Sequence, residues 1–341
     1  MPTNFKARAK RQKISLRQRY DNFMSRRPHR SFRLTRRRDY AKALKLPGYI
    51  SFGFEVVKTI NKYKKVLLPL SAVYIIINAV LVGLVSQDIY TQLSDTVASA
   101  GSQIFGSADV FTEALGSFFA IATLAGGAAS TEFQQVATVV LFISFWLSVV
   151  WLLRNLIAGN RVRMRDGLYN AGAPLIASFV VMFIMALQLL PVVVAMMAYG
   201  AAITSGLLAG GAPAMLFWLS AALLGVLSAY WLTSSVFALI IVTIPGMYPW
   251  RAIRSAGDMV QGVRLRILFR WIFMITVVAL VYVAVLLPAV LIESWLRTYW
   301  PWLENVPVIP VLISVLTTAA ALWCTSYVYL LYRKVVENAE R

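Results

Sequence analysis

Apolar residues in this chain fall into long runs separated by short, strongly polar ones, and residues 231–271 show the arrangement best. The stretch WLTSSVFALIIVTIPGMYPWRAIRSAGDMVQGVRLRILFRW opens as an uninterrupted apolar helix, breaks at Pro245-Gly246 and restarts at Pro249. Proline suits a first helical turn because its missing N–H would have had no partner there. Trp250, Ile253, Ala256, Met259, Val260 and Val263 then recur at spacings of three and four. Arg251, Arg254, Asp258, Gln261 and Arg264 fall mostly elsewhere around the helix. This is the pattern of an amphipathic helix lying at a membrane surface. Arg264, Arg266 and Arg270 lead into the next apolar run, so the unit is membrane helix, break, basic surface helix, membrane helix. Residues 49–64 read the same way, with Ile50, Phe52, Phe54, Val57 and Ile60 among Lys58, Lys62, Lys64 and Lys65.

Six runs are long enough to cross a hydrocarbon core of ~30 Å. They are about 66–86, 135–156, 173–199, 213–244, 266–292 and 307–332. The fourth exceeds the need, which predicts tilt or protrusion. Loop charges predict the orientation. The 154–166 loop carries Arg154, Arg161, Arg163 and Arg165, whereas 87–134 has no Lys or Arg and 200–212 has no charge. By the positive-inside rule both termini are cytoplasmic. A further apolar stretch, 114–129, would reverse the later loops if it crossed, so an external interfacial or re-entrant helix is expected there.

Trp146-Leu147-Ser148, Trp231-Leu232-Thr233 and Trp323-Cys324-Thr325 share the pattern W-x-[S/T], each inside an apolar run. Trp231, Thr233, Ser234, Val236 and Leu239 also match Trp323, Thr325, Ser326, Val328 and Leu331. The spacing of about ninety residues suits one hairpin plus one surface helix, and the pattern predicts three such repeats.

Composition sharpens the picture. The chain is 59% hydrophobic and 14% charged with a net charge of +19, as expected of a polytopic membrane protein. Residues 1–46 hold eleven Arg and five Lys against Asp21 and Asp39, with no apolar periodicity. They read as a basic, disordered cytoplasmic tail ahead of a membrane domain over 47–341. No apolar stretch precedes residue 66, so the first span is expected to act as an uncleaved targeting signal. Arg26, Arg27, Arg30, Arg33, Arg36, Arg37 and Arg38, together with Arg251, Arg254, Arg264 and Arg266, are the candidate contacts to an anionic partner. Anionic lipid, ribosomal RNA and an acidic protein all fit such a tail.

Chemistry of other kinds is sparse. The single histidine, His29, lies in the tail, and the single cysteine, Cys324, lies within a span. That excludes a Cys–His pair and leaves no ligand set for zinc. No catalytic residue, metal or cofactor is expected. The predicted spans hold no ionisable group at their centres, which argues against ion-coupled transport. Glu293 is expected at a helix end in a solvated position. Asn78 and Gln188 are the most polar intramembrane groups, with interhelical hydrogen bonding or a substrate contact as their readings. Pro191 and Pro288 read either as kinks or as breaks around a transport site.

Residues 47–341 resemble a broad group of bacterial six-helix membrane proteins. The group includes the membrane domain fused to glycerophosphoryl diester phosphodiesterases and its stand-alone relatives of unknown function. The residues that carry the resemblance are Pro245-Gly246, then Ala252, Ser255 and Gly262 in the basic helix, and Arg264 and Arg266 before the next span. It implies a bacterial inner-membrane location and an architecture, and the phosphodiesterase barrel itself is absent from this chain.

The expectation is therefore an all-α, polytopic integral membrane protein, with six transmembrane helices as three repeated hairpins and cytoplasmic amphipathic surface helices. Its expected role is non-enzymatic: a scaffold or lipid-organising protein whose basic face binds anionic lipid or another anionic partner. The alternatives are a transporter or lipid translocase for a neutral or amphipathic substrate, and a protein docking ribosomal RNA through its tail.

Overall fold

The computed structural model describes residues 46–81, 132–208, 210–300 and 308–340, and among these there are helices and turns but no strand. In chain order the helices are α1 (Tyr49–Lys62), α2 (Lys64–Leu81), α3 (Glu132–Ile157), α4 (Met164–Ala171) and α5 (Leu175–Thr204). They continue with α6 (Gly211–Ile241), α7 (Pro249–Val260), α8 (Arg264–Tyr299) and α9 (Val308–Glu340). Six of them, α2, α3, α5, α6, α8 and α9, are long and apolar enough to cross a membrane, so the chain is an all-helical polytopic membrane protein. The order short, long, long recurs three times along the described chain. The basic tail with its seven candidate arginines, and the stretch 114–129, lie outside the described residues.

Each long pair is an antiparallel hairpin, as named contacts show. The Tyr63 hydroxyl donates to the Leu156 carbonyl at 3.0 Å, while further along α2 Tyr74 lies 3.4 Å from Ser148. In the second pair Ser235 donates to Gln188 Oε1 at 2.7 Å, and Tyr199 meets Phe217 and Trp218. In the third, Tyr282 donates to Thr317 at 2.9 Å, and Phe273 and Trp323 face one groove.

One hydrophobic cluster takes buried residues from all nine helices. It uses the first halves of α2, α5 and α8 (Leu67, Val181, Ile267) and the second halves of α3, α6 and α9 (Leu152, Phe237, Leu331). Phe52 and Val56 of α1, Ala171 of α4, and Ala252, Ala256 and Val260 of α7 complete it. All three short helices therefore sit at one end of the bundle, and that end is closely packed. Toward the other end Leu190, Met196, Met197, Leu216 and Trp218 are exposed. In a bilayer such side chains need no protein cover, because lipid tails are as apolar as they are.

Several boundaries differ from the sequence pattern for identifiable reasons. The fourth span ends at Ile241, and the residues up to Met247 form a turn in which Gly246 takes φ +78°, a conformation cheap only for glycine. Pro191 and Pro288 lie inside continuous helices, so neither breaks its span. Because α8 continues to Tyr299, Glu293 is not at a helix end as expected; it is buried, at 3% exposure. On α7 the buried stripe is Ala252, Ala256, Val260 and the following Val263, while Trp250 is 73% exposed. Small alanines let the α7 backbone lie close against its neighbours, a fit that an indole would prevent. The eight-residue α4 is too short for its apolar spacing, Met164, Leu168 and Ala171, to announce it; Asp166 accepts from the Arg163 N–H at 2.8 Å and closes its first turn.

Candidate lipid-facing site

The three W-x-[S/T] segments lie on α3, α6 and α9, and their hydroxyls behave alike. Ser148, Thr233 and Thr325 are buried, and each donates to the carbonyl four residues back, at 2.8, 2.6 and 2.7 Å. This local bond satisfies a hydroxyl inside the membrane without a partner helix. The tryptophans diverge: Trp146 is buried, Trp323 half-buried and Trp231 39% exposed. Gln188 makes the interhelical bond to Ser235 described above, whereas half-buried Asn78 shows no side-chain hydrogen bond among the described residues.

The cations divide into those tied to the protein and those facing out. Arg270 is 5% exposed; its Nη2 donates to the Pro47 carbonyl, and its guanidinium lies over the Tyr49 and Phe52 rings at 5.1 and 5.3 Å. Arg154 donates from Nη1 to the Thr243 carbonyl at 3.1 Å and from Nη2 to the Thr243 hydroxyl. Arg264 stacks over the Tyr230 ring at 4.0 Å, so one of the four candidate cations around α7 and α8 already has an aromatic partner. Arg251, Arg254 and Arg266 are exposed. So are Lys58, Lys62, Lys64 and Lys65 beside α1 and Arg161, Arg163 and Arg165 around α4. Acidic compensation at this end is partial, because Glu55 is paired with Lys334 at 2.9 Å and Glu337 with Arg333 at 3.0 Å.

Two cavities flank α1. On one side Glu55, Thr59, Lys62, Tyr63, Arg333, Lys334 and Glu337 surround a polar cleft of about 280 Å³ at the short-helix end. On the other side α1 roofs a groove of about 490 Å³ between α8 and α9. Ile50, Gly53, Phe54 and Val57 line it from α1, Phe273 to Tyr282 from α8, and Leu316, Ala319, Ala320 and Trp323 from α9. The lining residues are apolar apart from the Tyr282 hydroxyl, which is occupied by Thr317, and the Trp323 indole N–H. Sequence reasoning missed this groove and the role of Arg270. The one available signal was Gly53, a glycine inside an otherwise helical apolar pattern.

Comparison with protein-family models, with curated proteins and with solved structures finds no match for this chain.

Proposed function

We propose that this protein is a non-enzymatic, lipid-organising membrane protein of a bacterial inner membrane, with the short-helix end facing the cytoplasm and gathering anionic lipid. The observation that carries this reading is the ring of exposed Lys and Arg around α1, α4, α7 and α8, all placed at one end of the bundle by a shared hydrophobic core. A basic residue near an anionic membrane surface contributes about 1 kcal/mol of attraction, so several together bias the surrounding lipid strongly. The polar cleft lies at this same end, and the groove that runs alongside the spans is almost wholly apolar. That arrangement supports an organising role over carriage of a polar substrate. The likeness to the membrane domain of glycerophosphoryl diester phosphodiesterases belongs to the same proposal, as does a lipid-directed role for the tail arginines.

The test is lipid selectivity around the full-length protein reconstituted in mixed bilayers, using spin-labelled phosphatidylglycerol and phosphatidylcholine. The expected result is a larger motionally restricted fraction for phosphatidylglycerol, reduced by high salt and by the joint change Arg251→Gln and Arg254→Gln. Equal restriction of the two lipids at low salt would sink the reading. Salt-resistant binding of structured RNA by the same preparation would favour the RNA-docking alternative.

A further inference from the structure

We propose that the groove roofed by α1 seats one acyl chain of an anionic phospholipid whose headgroup is held by Arg266. This rests on the lipid-organising reading and gives it a site. The first support is shape. At about 490 Å³ the groove has room for a substantial length of acyl chain. Its depth comes from small residues, Gly53 on α1 and Ala319 and Ala320 on α9.

Gly53 is the most telling of these. Nothing local requires glycine there: its φ is not positive, and an added Cβ would find its nearest neighbour in Trp323 at 4.0 Å, an ordinary contact. Glycine inside a helix costs stability relative to alanine. A side chain here would occupy the groove, and its absence keeps that space open.

The second support is charge placed in line with the groove. Arg266 lies on α8 seven residues before Phe273, hence on the same helical face and about 10 Å nearer the short-helix end. It is exposed and makes no ion pair among the described residues. A chain packed along Phe273 and Val277 thus puts its headgroup at the level of this guanidinium. Lipid is the occupant the mouth suits, because Ile50 and Phe54, which line it from α1, are apolar yet 68% and 70% exposed. Inside a bilayer, burying an apolar chain provides little driving force, since lipid tails offer the same surroundings. Selection must come from fit and from the headgroup, which is why phosphatidylglycerol and phosphatidylcholine should differ.

The experiment is photolabelling of the full-length protein in bilayers, with phosphatidylglycerol carrying a diazirine in one acyl chain and label sites mapped by peptide mass spectrometry. Label is expected on groove residues of α8 and α9, with the matching phosphatidylcholine probe labelling them several-fold less. Arg266→Gln should lower groove labelling by phosphatidylglycerol about fivefold, the share of one basic residue at the surface. Gly53→Leu should remove groove labelling by filling the space while leaving label elsewhere on the protein. The proposal is overturned if both lipids label the groove equally, or if neither substitution changes the pattern. Should the spin-label preference for phosphatidylglycerol persist while the groove stays unlabelled, this site fails and the lipid-organising reading stands. Loss of both would end the two together.

Discussion

Arg270 binds three elements together through one side chain. Its donor reaches the Pro47 carbonyl at the start of α1, its guanidinium covers the Tyr49 and Phe52 rings, and Tyr327 of α9 lies within its electrostatic reach. A guanidinium can do this because it is planar, weakly hydrated and always charged. Arg270→Ala loses a charged hydrogen bond and two ring contacts, which together cost about 2–4 kcal/mol. The expected outcome is a melting temperature of the purified protein clearly below that of Arg266→Ala, whose parent side chain is exposed. Equal melting of the two variants would show that Arg270 is no latch. Arg270→Lys should recover little, since a single ammonium cannot donate to Pro47 and lie flat on the rings together. In the sequence Arg270 is one of five arginines between 251 and 270, and nothing distinguishes it from the others. Its role depends on the distant Pro47 and Phe52, and residue spacing carries no information about such a contact.

The short helices show how element packing depends on single glycines. Gly167 on α4 faces Leu152 of α3 so closely that an added Cβ would lie 2.7 Å from Leu152 Cγ. Gly257 on α7 has nothing within 4 Å of the same added atom. Both sit inside helices, where alanine is favoured over glycine by about 1 kcal/mol. At Gly257 that gain should be realised, so Gly257→Ala is expected to be neutral or slightly stabilising. At Gly167 the overlap adds a strain of about 1–3 kcal/mol, which outweighs the gain, and Gly167→Ala should lower the melting temperature. Adding Leu152→Ala to Gly167→Ala should cost less than the sum of the two single changes, as expected of residues in direct contact. Additive losses would show that the contact does not limit packing. Of the short helices, α1 and α7 were legible from their three-and-four spacing, and Pro249 marked the start of α7 correctly. α4 was not, because its eight residues, MRDGLYNA, make only two turns, too few for the spacing of Met164, Leu168 and Ala171 to stand out from a basic loop. The stripe on α7 was misjudged in detail. Trp250 dominates any hydrophobic count, yet Ala252 and Ala256 are the residues that make the contact.

At the scale of the molecule, the hairpins were legible because a run of twenty or more apolar residues suits little besides crossing a bilayer. The gathering of all three short helices on one core was not, since it depends on contacts between segments a hundred or more residues apart. That gathering makes the orientation a single question with one answer for the whole bundle. Tyr63 meets Leu156 while Tyr74 meets Ser148, so α2 leaves the short-helix end and α3 returns to it. Residues 114–129 lie outside the described residues. The exposed Lys and Arg cluster at the short-helix end, whereas the α5–α6 turn around Ser205 carries no charge. The positive-inside rule therefore predicts that the short helices lie in the cytoplasm and Ser205 outside. Cysteine labelling in a Cys324→Ala background tests this directly, because Cys324 is the chain's one native thiol and is half-buried. A membrane-impermeant maleimide applied to intact cells is expected to label Ser205→Cys, in the exposed turn, and to leave Asn160→Cys unlabelled until the membrane is opened. Labelling of Asn160→Cys alone would invert the bundle and move the basic ring, with its lipid role, to the opposite leaflet. Labelling of both from outside would show that α5, which lies between the two positions, does not cross, and the common core end would then have to be abandoned as the frame for the lipid site.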